Sequence, residues 1–150
     1  MQETLMRLQD VLWATKYLRQ VVLVSDYMVH GSLADHLQIA CMAARFLNEE
    51  ICQSVSYQLL LALDFLHFKG VMHRDVKPQN VLIAKWSDDF LRVKLSNFGF
   101  AKLITCTEQG TSKVGSKGFI APEVEFRDPQ DDPYTFKADI WSFGATMMKW

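Results

Sequence analysis

The stretch His73-Arg74-Asp75-Val76-Lys77-Pro78-Gln79-Asn80 carries a carboxylate, an ammonium and a carboxamide at offsets 0, 2 and 5 from Asp75. A carboxylate can take a proton from a hydroxyl, and an ammonium can neutralise a phosphate. An amide oxygen can ligate a hard cation such as Mg²⁺. A loop with this spacing can therefore place a base, a cation and a metal-binding amide around one phosphoryl group. A His-Arg-Asp triplet alone is a weak signal, and Lys77 and Asn80 at these offsets make it a strong one. A second amide follows in Ser96-Asn97-Phe98-Gly99.

Such a loop has to be held rigidly from both sides. On its N-terminal side, Ile51, Val55, Leu59, Ala62, Leu63 and Leu66 recur at steps of three and four. That spacing predicts a helix with one buried face. Asn48 suits the N-cap, Glu49 and Glu50 suit the first turn, and Lys69-Gly70 closes the helix. On its C-terminal side, Val81 to Ala84 and Leu91 to Leu95 read as two short strands, with a turn over Lys85-Trp86-Ser87-Asp88-Asp89. Near the start, Leu5 to Trp13 and Val21 to Val24 read as a β-hairpin around the polar piece Ala14 to Gln20. His30-Gly31-Ser32 turns into a short helix at Leu33 to Leu37, with His30 and His36 in solvent. Residues 100–120 are expected to be a loop rich in hydroxyls (Thr105, Thr107, Thr111, Ser112). Glu125 to Pro133 reads as an exposed, charged loop.

The composition is that of a globular chain: 150 residues, 49% apolar, 22% charged, net charge −1. This length supports one core. The balanced charge gives no pull toward nucleic acid or an anionic membrane surface. No apolar run reaches the roughly 18 residues of a membrane span. Met1-Gln2-Glu3-Thr4 carries no basic leader, so no signal peptide is expected. Cys41, Cys52 and Cys106 read as free thiols of a reducing compartment, which gives the cytoplasm, or the nucleus, as the expected location.

The loop at residues 73–80 resembles the catalytic loop of eukaryotic protein kinases, H-R-D-x-K-x-x-N, at every fixed position. Ala121-Pro122-Glu123 is similar to the family's A-P-E signature. Asp139-Ile140-Trp141-Ser142-Phe143-Gly144 is similar to its D-x-W-S-x-G, opening a buried helix expected to contain Trp150. The resemblance implies an α+β fold with a mostly helical C-lobe and a remnant hairpin of the N-lobe. Residues 1–25 would be that remnant, 26–31 the hinge, and 32–150 an incomplete C-lobe.

The resemblance also implies roles. Asp75 would be the catalytic base, Lys77 the contact to the transferred phosphate, and Asn80 a Mg²⁺ ligand. Lys at position 77 is similar to Ser/Thr kinases in contrast to Tyr kinases. For ATP, backbone Asp26 C=O and Met28 N–H would meet adenine, with Leu82 as the floor and Ser25 as the gatekeeper. His73 would pack on Phe98, and Arg74 would pair with a phosphorylated activation loop. Gly115-Ser116-Lys117-Gly118-Phe119 is similar to the substrate-docking segment, with Ser116 reaching Asp75 and Lys77. Asp139 would brace the catalytic loop through its backbone. The implied cofactors are ATP and Mg²⁺, and the implied partner is a protein substrate or a scaffold partner.

One position departs from the pattern. Asn97 stands where the family has the Asp of Asp-Phe-Gly, its principal metal ligand. Asn has nearly the same shape but offers a neutral oxygen, so Asn80 and Asn97 would form a weakened metal set. The family's Gly-rich phosphate loop and its strand lysine have no counterpart in these residues. Apolar surface that the missing parts cover in the family would be exposed. Three readings stay open: a piece of a Ser/Thr kinase with impaired transfer, a pseudokinase acting as a binding or scaffold module, and a fragment that does not fold alone.

Overall fold

The computed structural model describes residues 8–13, 21–43, 48–87, 90–105 and 110–149. Side chains are described from Ser25 onward, Phe90 excepted. The expected roles of Leu5, the Ala14–Gln20 connection, Asp88, Asp89, Cys106, Thr107 and Trp150 lie outside the described residues.

The first two strands, β1 (Leu8–Trp13) and β2 (Val21–Ser25), pair antiparallel from Leu8↔Ser25 to Trp13↔Val21. The chain then leaves through residues 26–31 into helix α1 (Leu33–Met42). α1 is twice as long as expected. Ser32 caps it reciprocally with Asp35, each side chain bonding the other's backbone N–H. The Ser32 hydroxyl, donating to Asp35 Oδ2 at 2.7 Å, and the Ser32 N–H hold the Asp35 carboxyl below its ordinary value.

Helix α2 (Glu49–Phe68) is the structural axis. Asn48 accepts from the Glu50 N–H at 3.0 Å, as its N-cap position requires, and Lys69 and Gly70 close the helix. Val55, Leu59, Ala62, Leu63 and Leu66 are buried, the face that the periodicity predicts. That face packs on the hairpin of β4 (Val81–Ser87) and β5 (Phe90–Leu95), whose Val81, Ile83, Leu91, Val93 and Leu95 complete one core cluster with Leu33 and Val76. Gln58 locks the two together. Its amide donates to Leu91 C=O at 2.7 Å and accepts from the Val93 N–H at 3.1 Å. These bonds satisfy backbone groups on β5 that its single strand partner leaves over.

Several expectations need correction. The turn placed at Lys85–Asp89 begins later, because Lys85, Trp86 and Ser87 continue the ladder with Arg92, Leu91 and Phe90 past a bulge. His36 keeps part of its ring exposed and is also held: the ring stacks on Trp86 at 4.5 Å and its Nε2 bonds His30 C=O at 2.8 Å. The loop at 100–120 contains a short strand. β3 (Val71–Met72) pairs antiparallel with β6 (Lys102–Leu103), which ties the start of that segment to the end of α2. The loop at 125–133 is not wholly exposed, since Arg127 is buried beneath it.

A second, smaller core gathers Met72, Ala121, Val124, Tyr134 and Ala138. It joins β3 to helix α3 (Pro122–Glu125) and helix α4 (Lys137–Met147). α4 ends at Met147, and the Lys149 N–H turns back to Thr146 C=O. Phe68, Phe126, Trp141 and Met148 are exposed. Among the described residues no helix is long and apolar enough to cross a membrane.

Candidate active site

The loop between β3 and β4 is built around a buried carboxylate. Asp139, at the start of α4, is fully buried. Its two oxygens accept from the backbone N–H groups of His73 (2.9 Å) and Arg74 (2.8 Å). His67 Nε2, from the last turn of α2, lies 2.8 Å from Asp139 Oδ2. One anion thus pins α2, α4 and the loop. The brace matters because Arg74 sits at φ +67°, a left-handed conformation that a non-glycine residue adopts only at a cost.

With Arg74 fixed, Asp75 points inward and is almost wholly buried. Its Oδ1 accepts from the Ser116 hydroxyl at 2.7 Å. Its Oδ2 accepts from Asn80 Nδ2 at 2.8 Å and lies 3.0 Å from Lys77 Nζ. Lys77 Nζ also donates to Ser116 Oγ at 2.5 Å. A carboxylate offers about four acceptor positions, so one remains free of these three partners. The Lys77 ammonium compensates the Asp75 charge, which makes the burial tolerable.

Asn80 is held in turn. Its Nδ2 also donates to Asp75 C=O at 2.7 Å, and its own carbonyl accepts from both the Ser96 N–H and the Ser96 hydroxyl at 2.9 Å. Its Oδ1 accepts from Asn97 Nδ2 at 3.1 Å. Asn97 is itself left-handed, at φ +62°. His73 is fully buried, with Nε2 at 3.0 Å from Ser96 C=O and its ring edge-on to Phe98 at 5.0 Å. Burial pushes the His73 pKa below its ordinary value of 6.5, against the opposing pull of Asp139.

Asp75, Lys77, Asn80, Asn97 and Ser116 therefore meet in one hydrogen-bonded cluster. The residues expected at adenine form a second group. The Ile83 N–H donates to Gly31 C=O at 2.9 Å, and Ser32 bridges Leu82. This brings Leu82 against the exit of the 26–31 connection. Lys94, the ladder partner of Leu82, places its ammonium 3.7 Å from Asp26 Oδ2. Met28 C=O accepts from the Gly31 N–H at 3.1 Å, so Asp26, Met28 and Leu82 lie along one connected edge.

The chain belongs to the protein kinase family: the protein kinase domain model matches residues 2–150. Its α+β fold and the loop at residues 73–80 are of that kind. It is 36% identical over 130 residues to the human Serine/threonine-protein kinase ULK1, covering 83% of this chain and 12% of that protein. It is 35% identical over 127 residues to rice Serine/threonine-protein kinase Nek6, covering 85% and 22%. It is 38% identical over 133 residues to Serine/threonine-protein kinase cds1 of Schizosaccharomyces pombe, covering 85% and 27%. The chain thus spans about a quarter or less of the length of these relatives.

Members of the family use ATP and Mg²⁺ and act on protein substrates. The Mg²⁺ position that the resemblance implies at Asn80 and Asn97 fits the ion poorly. Its two side chains are both neutral carboxamides, and Asn97 turns an N–H toward the very oxygen of Asn80 that a cation would use. Among the described residues no group of three His, Cys, Asp or Glu side chains could hold a metal ion.

Two participants carry no reading in the sequence: His67, which meets Asp139, and Tyr134, whose hydroxyl meets Arg74. For His67 a signal existed, since a polar residue in the last turn of a helix leading into the loop can reach that loop's brace.

Proposed function

We propose that this chain is part of a Ser/Thr protein kinase domain in which phosphoryl transfer is impaired at the cation site. In this reading ATP phosphorylates a Ser or Thr hydroxyl of a protein. Asp75 takes the hydroxyl proton, and Lys77 neutralises charge on the transferred group. Asp26, Met28 and Leu82 receive adenine. The observation that carries the first half is the Asp75 carboxylate, held by Lys77, Ser116 and Asn80 with one acceptor position left over. The balanced net charge argues for protein partners over nucleic acid, and the free thiols of Cys41 and Cys52 for the cytoplasm or nucleus.

The Asn97–Asn80 amide pair favours a second reading, a pseudokinase that binds partners without transferring phosphate. In that case nucleotide binding is weak and insensitive to Mg²⁺. The test is transfer of labelled phosphate from ATP to a generic Ser/Thr protein substrate by the intact natural protein and its Asn97→Asp variant. Impaired transfer predicts a measurable rate that rises at least about tenfold in the variant. Transfer seen only in Asn97→Asp selects the pseudokinase. Equal rates in the two forms would sink both readings of Asn97.

A further inference from the structure

Arg74 has no anionic partner among the described residues. Its Nε donates to Phe100 C=O, and its Nη1 donates to the Tyr134 hydroxyl at 3.3 Å. That hydroxyl donates in turn to Ser112 C=O at 2.8 Å. A neutral phenol thus stands between a guanidinium and the backbone of the 110–116 segment. The Tyr134 backbone adds a second tie, donating to Gly110 C=O at 3.0 Å in an isolated antiparallel bridge. A Cβ at residue 110 would fall 2.6 Å from the Tyr134 ring, so only glycine lets the segment lie this close. The Tyr134 ring is itself buried in the smaller core.

These contacts tie two stretches of chain to Arg74 of the catalytic loop, one directly and one through Tyr134. Arg74 holds Phe100, just past Asn97-Phe98-Gly99. Tyr134 holds Gly110 and Ser112, four residues before Ser116. Ser116 is the group that touches both Asp75 and Lys77.

We propose that Tyr134 is a positioning residue. With Arg74 it orders the 110–116 segment without a phosphate on that segment, and so delivers Ser116 to Asp75 and Lys77. The guanidinium polarises the phenol, which strengthens the phenol's bond to Ser112. A hydroxyl supplied by the core thereby does the ordering that a phosphate on the segment would otherwise do. This holds whether or not the cation site supports transfer, because it concerns order and not turnover.

Amide hydrogen exchange on the intact protein tests it, with the protein produced free of phosphate and its mass verified. Peptides covering 110–116 should be protected in that form. Tyr134→Phe, which keeps the ring, should speed their exchange about tenfold, the effect of losing one hydrogen bond to a charged group. Arg74→Lys should do the same. The double variant should be no faster than the faster single one, because on this segment both side chains act through the Tyr134 hydroxyl. Peptides of α2 serve as the internal standard and should not change. The proposal is overturned if the phosphate-free segment is unprotected, if Tyr134→Phe leaves it unchanged, if the two substitutions add, or if α2 speeds up equally.

Discussion

Asn97 Nδ2 donates to Asn80 Oδ1 across 3.1 Å, where the family pattern would set two oxygens facing each other. Two facing oxygens need a cation between them, whereas an amide and a carbonyl satisfy each other. Asn97→Asp should therefore cost stability in EDTA, by about 1 kcal/mol for the lost bond. The same variant should gain a Mg²⁺-dependent rise in unfolding temperature, since ligand binding to the folded state stabilises it. The natural protein should show almost no rise. A thermal unfolding series in Mg²⁺ checks this, and equal rises in the two proteins would count against it.

The buried face of α2 should dominate stability. Leu63 is fully buried in the cluster that joins α2 to the β4–β5 hairpin. Leu63→Ala removes three carbons and leaves a cavity that the hairpin cannot fill. The expected loss is about 2–5 kcal/mol, read as a fall in urea midpoint. Leu60, three residues earlier on the same helix and substantially exposed, should lose well under half as much on substitution by alanine.

These two leucines show why much of the fold was legible in the sequence. Periodicity reports burial when one helix face meets one partner, and every residue buried on α2 was among those that the steps of three and four picked out. Asp75, Lys77 and Asn80 were legible because the loop places all three within eight residues. Ser116 and Asp139 were found only through the resemblance, since their contacts cross 41 and 65 residues of chain. The pairing of β3 with β6 went unseen because two-residue strands carry no alternation. Tyr134 was hidden because its role depends on a hydroxyl meeting Arg74 across 60 residues.

Asp139→Asn should loosen the catalytic loop. The carboxylate accepts from the His73 and Arg74 N–H groups and faces His67 Nε2. An amide has one oxygen, so at least one buried N–H would face an NH₂ group. The cost is about 1–3 kcal/mol for that unsatisfied donor. Arg74, left-handed and no longer held from both sides, should then relax. Hydrogen exchange at residues 73–75 should rise more than at the far end of α2. A uniform rise would mean that Asp139 supports only global stability.

Stability should also fall in mild acid through His73. The ring is buried and its pKa is lowered from 6.5, chiefly by the cost of desolvating its charged form. Asp139, Asp75 and Lys77 are the charged groups around it, and the two carboxylates oppose the shift without cancelling it. The unfolded chain therefore binds more protons than the folded one below the ordinary value. Full stability is present above about pH 6.5 and is lost as pH drops from there toward the lowered folded value. Urea midpoints measured from pH 7.5 to 5 should decline through this window. His73→Gln, close in size and without a titrating ring, should flatten the decline while lowering the plateau at pH 7.5. A variant that keeps the full slope would assign the acid sensitivity to other groups.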